Sequence, residues 1–201
     1  MLKSITRALS VCLVASSALA AHAQIYKLHN VDLGVNATSP FTTTLTSNAP
    51  GKIQGTTDTV GFLFSLKEHP VSWAGIELNY GYNKYSQRFS GPYGTAKVKS
   101  YNHEATAAYI FHPHFRRLQP FVAVGGGAID FYPQQNTGPN QWRAAGLLET
   151  GLDLPTRNPH LGFRVQGRAL IYRAPNFGNS VISTRSWVAT TEPSAGVYWH
   201  F

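Results

Sequence analysis

The chain has 201 residues, of which only 13% are charged and 12% are aromatic, and its 17 Lys and Arg outnumber its 9 Asp and Glu. That length suits one domain. Scarce charge with many aromatics excludes a disordered chain and argues against an ordinary solvated surface, which carries about a quarter or more charged residues. The basic excess is scattered over turns and loops and forms no stripe interleaved with aromatics, so no nucleic-acid partner is expected.

The first segment is a leader. Lys3 and Arg7 precede a nearly uninterrupted apolar run from Ala8 to Ala21, which ends in Ala21-His22-Ala23. A basic start, a short greasy core and a small-x-small close make a cleavable secretory signal peptide over residues 1–23. The apolar run is too short to be a spanning helix of roughly 20 residues. Cys12 lies inside it, so the exported chain, 24–201, has no cysteine for a disulfide or a thiolate metal site. Loss of Lys3 and Arg7 takes the basic count from 17 to 15, and against 9 acids the exported chain carries +6.

From there on, the signal is alternation with a period of two, broken by Pro, Gly, Asn and Ser clusters. Eight such segments are expected. The first, about 29–38, sets Val31, Leu33, Val35 and Ala37 against Asp32, Gly34, Asn36 and Thr38. A long Thr-rich connection, Ser39 to Thr56, leads to the second, about 57–66, with Val60, Phe62, Phe64 and Leu66 on one face. Lys67 to Pro70 reads as a short turn. The third, about 71–84, sets Ala74, Ile76, Leu78, Tyr80 and Tyr82 against Gly75, Glu77, Asn79, Gly81 and Asn83. Ser86 to Lys97 reads as a second long connection, and the fourth segment runs about 98–111.

After a basic turn, the fifth segment runs about 120–131, with Phe121, Ala123, Ile129 and Phe131 expected outward and Gly125, Gly126 and Gly127 marking a bulge, bend or close approach. The sixth, about 143–154, opposes Gly146, Leu148, Leu152 and Leu154 to Arg143, Glu149 and Asp153. The seventh, about 161–173, opposes Phe163, Val165, Ala169 and Ile171 to Arg164, Gln166 and Arg168. The eighth closes the chain from Trp187, its odd positions apolar and its even positions from Thr190 small or polar.

Segments of roughly 10 residues suit a tilted crossing of a hydrocarbon core. Their connections alternate long and short, as do the external loops and periplasmic turns of outer-membrane barrels. The expected fold is all-β: an eight-stranded antiparallel up-and-down transmembrane β-barrel, preceded by the cleavable leader. The oily face is assigned to lipid for three reasons, one being that charge on the polar face is matched, Glu77, Glu104, Glu149 and Glu192 against Arg143, Arg164 and Arg168. Tyr80, Tyr82, Tyr101, Tyr109, Phe111, Phe121, Phe131, Trp187 and Trp199 gather near strand ends as interfacial girdles do. The polar face is rich in Gly, Ser and Asn, which fill a narrow bore. An interior of eight strands is just wide enough to be filled by side chains, and charges survive there only when paired. Glu77, Glu104, Glu149 and Glu192 are therefore expected to meet Arg164 and Arg168 inside.

The closing stretch Ala195-Gly-Val-Tyr-Trp-His-Phe201 ends on an aromatic residue, with apolar residues two, four and six places before it. It resembles the C-terminal sorting signal of bacterial outer-membrane barrels, carried here by Val197, Trp199 and Phe201. With Ala74–Tyr82 and Gln119–Gly127, it makes the chain similar to the small eight-stranded outer-membrane barrel superfamily, OmpA-type transmembrane domains and single-domain relatives. That resemblance implies a bacterial outer-membrane location. The partners it implies are outer-membrane lipid, lipopolysaccharide, and the barrel-assembly machinery acting through the last strand. It also implies a monomer.

Catalytic chemistry finds little support. His112-Pro-His114 with His103 reads as surface histidines rather than a zinc site, because His103 falls nine strand residues, about 30 Å, from His112. Ser194 and His200 share a face but stand about 20 Å apart along the strand, too far for a nucleophile and its base. The expectation is a non-enzymatic barrel without cofactor or metal, structural in the envelope or displaying its loops, the 39–56 connection foremost. The alternatives are a small channel or carrier for apolar solutes and, further off, a lipid A-modifying enzyme.

Overall fold

The structure, a computed structural model, describes residues 30–43, 45–46, 53–56, 59–91, 94–113, 118–134, 138–175, 177 and 186–201. The leader assigned to 1–23 and His114 lie outside the described residues. Alternating sequence gives alternating burial: along β1 (Val31–Thr38) every second residue from Asp32 is buried and its neighbours are exposed. The other long strands are β2 (Gly61–Val71), β3 (Ala74–Gly91), β4 (Gly94–Phe111), β5 (Gln119–Pro133), β6 (Gln141–Pro155), β7 (Leu161–Arg173) and β8 (Trp187–His200). Each pairs antiparallel with the next, and β1 pairs with β8, so the sheet closes into an eight-stranded barrel. Closure leaves no unpaired edge among the eight.

Sidedness follows the oily phase. Leu33, Phe62, Phe64, Leu78, Val165 and Val197 all face outward and are exposed. Most buried side chains of the same strands are Asn, Ser, Thr, Gln and paired charges, with Leu63, Leu170, Tyr172, Val188 and Tyr198 among the apolar exceptions. This inversion of the soluble pattern is what a hydrocarbon solvent requires of a barrel.

Three sequence expectations are corrected. Phe121, Ala123, Ile129 and Phe131 point inward, each at most 3% exposed, while Val122 and Val124 face out. Both phases of β5 are apolar, and the inner one packs with Leu147, Leu170, Tyr172 and Val188 into an apolar half of the interior. Phe121 and Phe131 are therefore not girdle residues. Lys67 to Pro70 is not a turn: β2 runs through to Val71, with a register shift between Glu68 and Val71, and the turn is Ser72-Trp73. Nor is Ser86 to Lys97 a loop. It is the top of a ladder that continues to Gly91 opposite Gly94. Of the readings open for the glycine run, the structure takes close approach rather than a bulge, since the pairing with β4 is unbroken from Thr106 to Ala108. A methyl on Gly125 would meet the Ala107 carbonyl and come within 2.6 Å of Ala108 Cα.

The 39–56 connection is partly built onto the rim. Phe41–Thr42 pairs with β8, and Thr42 Oγ1 lies 2.9 Å from Thr190 Oγ1. Ile53–Thr56 pairs with β3, Gly55 opposite Arg88.

Candidate functional site: the barrel interior and its mouth

Strand register brings the interior charges together. Arg168 on β7 is in register with Glu149 on β6 and Glu192 on β8, and all three point into the bore. Its Nη1 donates to Glu192 Oε2 at 2.8 Å, and its Nε stands 3.4 Å from Glu149 Oε2. Its Nη2 donates to Glu104, which reaches over from β4, and to Thr106 Oγ1 at 3.2 Å. One guanidinium thus answers three carboxylates from three strands, as its planar set of donors allows.

A second tier lies nearer the short turns. Arg164 grips Asp153, Nε to Oδ1 at 2.6 Å and Nη2 to Oδ2 at 3.0 Å, in the two-pronged geometry of strong guanidinium–carboxylate pairs. Glu77 stands 3.7 Å from Arg164 Nη1. Lys67 Nζ donates to Asp153 Oδ2 at 2.9 Å and sits 4.6 Å from the centre of the Phe121 ring. All these charges are at most 2% exposed.

Of the sequence-derived site residues, Glu104, Glu149 and Glu192 gather on Arg168, and Glu77 stands by Arg164. Among the described residues no ion pair joins the two tiers. Lys67 and Asp153 were missed as partners. Asp153 lay on the polar phase but was not assigned, and Lys67 was hidden by the turn-like Glu68-His69-Pro70. Arg143 sits at the long-loop end, its Nη2 donating to Gln141 Oε1 at 3.0 Å.

Beneath the second tier a cavity of about 360 Å3 opens at the short-turn end, lined by residues that include Asp32, His69, His112, Tyr198 and His200. Asp32 Oδ1 is 2.6 Å from His200 Nδ1, and its Oδ2 is 3.3 Å from His69 Nε2. The His69 and His112 rings lie 4.7 Å apart. Burial, reinforced by Lys67, pushes the His112 imidazole down to about 3. His103 is elsewhere, outside on β4, with Tyr80 Oη 2.7 Å from its Nδ1. Ser194 is paired with Thr38 in the wall, six residues up β8 from His200, which pairs with Asp32. Val197, Trp199 and Phe201 form an outward row at the foot of β8, where Phe201 N donates to Val31 O at 2.9 Å.

A closed eight-stranded barrel with an oily exterior, a charged interior and long loops at one end is the architecture of the small outer-membrane β-barrels. Solved structures agree. OprG of Pseudomonas aeruginosa superposes with a TM-score of 0.57 at 15% identity, over 88% of this chain and 97% of that one. Neisserial surface protein A gives 0.59 at 12%, over 85% and 97%. Ail of Yersinia pestis, solved with the heparin analogue sucrose octasulfate, gives 0.52 at 9%, over 86% and 99%. At such identities the likeness is one of fold. No protein-family model matches the chain, and no curated protein matches its sequence. The fold is that of bacterial outer-membrane barrels, and the oily belt fits the chain to that membrane. Asn30 and Phe201, whose backbones are joined by a 3.2 Å hydrogen bond, lie at the short-turn end of the barrel.

Proposed function

We propose that the protein is a non-enzymatic, non-conducting barrel of the bacterial outer membrane, whose interior charge lattice serves as a structural plug and whose external face makes the envelope contacts. The observation that supports this most directly is Arg168, 1% exposed and shared by carboxylates from β4, β6 and β8. A guanidinium spanning the bore ties opposite walls together and blocks the path along the axis. Reconstitution into planar bilayers tests the reading: a silent membrane is expected, and steady unitary currents from the folded protein would overturn it.

The rival is a carrier for apolar solutes. Its supporting observation is the apolar outer half of the interior, Ile129, Phe131, Leu147, Leu170 and Tyr172. That cluster is packed, so a carrier would have to open the wall there. A lipid A-modifying enzyme would need a nucleophile beside its base, and His200 is engaged by Asp32 well below Ser194.

The outward row Val197, Trp199 and Phe201 is the segment offered to the assembly machinery. Deleting Phe201 should cut the heat-modifiable, folded fraction in cells severalfold while leaving refolding from urea into detergent intact. Equal loss in both settings would make the residue merely structural.

A further inference from the structure

We propose that the outward face of the β3–β4 hairpin, above the hydrocarbon, is a binding site for the phosphate groups of outer-leaflet lipopolysaccharide; this rests on the outer-membrane reading. The first ground is where the acids went. Asp32, Glu77, Glu104, Glu149, Asp153 and Glu192 are all buried inside the barrel. Among the described residues, the cations high on the β3–β4 hairpin are left without acids. Lys84, Arg88, Lys97 and Lys99 are exposed, and none takes part in an ion pair among the described residues.

The second ground is phase. Lys84 and Arg88 continue the outward series Ile76, Leu78, Tyr80 on β3. Lys97 and Lys99 continue, on β4, the outward series that contains Tyr109 and Phe111. The register sets Arg88 opposite Lys97, Ser86 opposite Lys99 and Lys84 opposite Tyr101. Same-face neighbours are about 7 Å apart along a strand and about 5 Å across, so the four cations share a patch of roughly 14 by 5 Å. Like charges directly opposite one another destabilise a ladder, and an anion bridging Arg88 and Lys97 removes that penalty. Gly55, the other neighbour of Arg88, adds no side chain to shield it.

The third ground is direction. The column stands directly above Tyr80, Tyr82 and Tyr101, with Lys84 Nζ 5.4 Å from the centre of the Tyr101 ring. Aromatic rings at the acyl boundary with cations just beyond them is the order of a membrane interface. The patch looks sideways at neighbouring lipid, not up at the medium or in at the bore. Asp130, the one described acid facing outward nearby, is paired with His103, a rung below Lys84 and Tyr101. Among the described residues, a phosphate at Arg88, Lys97 and Lys99 meets no opposing carboxylate. At about fivefold per cation near an anionic surface, four together give an effect of about six-hundredfold.

The experiment refolds the full chain into phosphatidylcholine nanodiscs, plain or doped with lipid A, and measures retained lipid A and trypsin cleavage at the four basic positions. Lipid A is expected to be retained and to protect the hairpin, both effects weakening with salt. Combined Lys84→Gln, Arg88→Gln, Lys97→Gln and Lys99→Gln should lower retention about six-hundredfold, with heat-modifiable folding unchanged. The Lys97→Gln, Lys99→Gln pair, a milder change, should lose an intermediate amount. Equal retention by the variants, or equal retention of dephosphorylated lipid A, overturns the site. So does protection by sucrose octasulfate with none by lipid A, which would make the ligand a soluble polyanion. Loss of heat-modifiable folding in the unaltered chain would instead strike the barrel reading itself.

Discussion

Arg168 and Glu192 face each other across the β7–β8 ladder, in register and 2.8 Å apart inside the wall. Neither is more than 3% exposed. A pair so placed is dictated by the fold: neighbouring strands carry the two residues to one rung inside the bore, where both are buried. Removing one partner of such a pair strands the other's charge and costs about 3–5 kcal/mol.

Arg168→Met tests that directly. The substitution leaves Glu104, Glu149 and Glu192 facing one another without a cation. Its expected effect is a loss of about 3–5 kcal/mol in urea unfolding from detergent micelles, read as a lower midpoint of tryptophan fluorescence. An unchanged midpoint would show that the lattice does not hold the barrel together.

Glu149→Gln should behave oppositely. Five carboxylates, Glu77, Glu104, Glu149, Asp153 and Glu192, share three cations, Lys67, Arg164 and Arg168. Neither Glu149 oxygen finds a hydrogen-bond partner among the described residues, and its nearest cation is 3.4 Å away. Neutralising it relieves repulsion while keeping the shape. The same unfolding measurement should move by no more than about 1 kcal/mol, towards greater stability. A loss as large as that of Arg168→Met would make Glu149 an essential partner.

These two residues also show what alternation can and cannot reveal. Both were legible as inward-facing from period two alone, as were Glu104, Arg164 and Glu192. What pairs with what was not legible, because it depends on register between strands. Asp153 meets Arg164 since β6 and β7 align them, and Lys67 comes opposite Glu77 through the β2–β3 register. Lys67 was further hidden by Pro70, a turn signal that here sits where the ladder ends and its backbone nitrogen is not needed. On β5 the pattern itself was ambiguous. Phe121 and Val122 are both apolar, and which one enters the bore depends on neighbours such as Leu147 and Leu170. A polar interior was the reasonable expectation, but this barrel keeps an apolar half, so the phase came out reversed.

His112 offers a test at the short-turn mouth, outside the strands. Its ring packs against His69 and Phe121, and its Nε2 has no hydrogen-bond partner among the described residues. An imidazole in an unfolded chain titrates near 6.5, whereas burial, aided by Lys67 and His69, brings His112 to about 3 in the barrel. Between those values the unfolded chain binds the proton and the barrel does not. The neutral ring's contribution is therefore complete above the unfolded value and is lost progressively as pH falls towards the folded one. Comparing the protein with His112→Leu isolates this term from the other titrating groups. The difference in unfolding midpoint between the two should hold steady above about pH 7 and shift in favour of the variant as acid is added, since leucine has nothing to protonate. Parallel curves down to acid pH would place His112 in water rather than against Lys67 and Phe121.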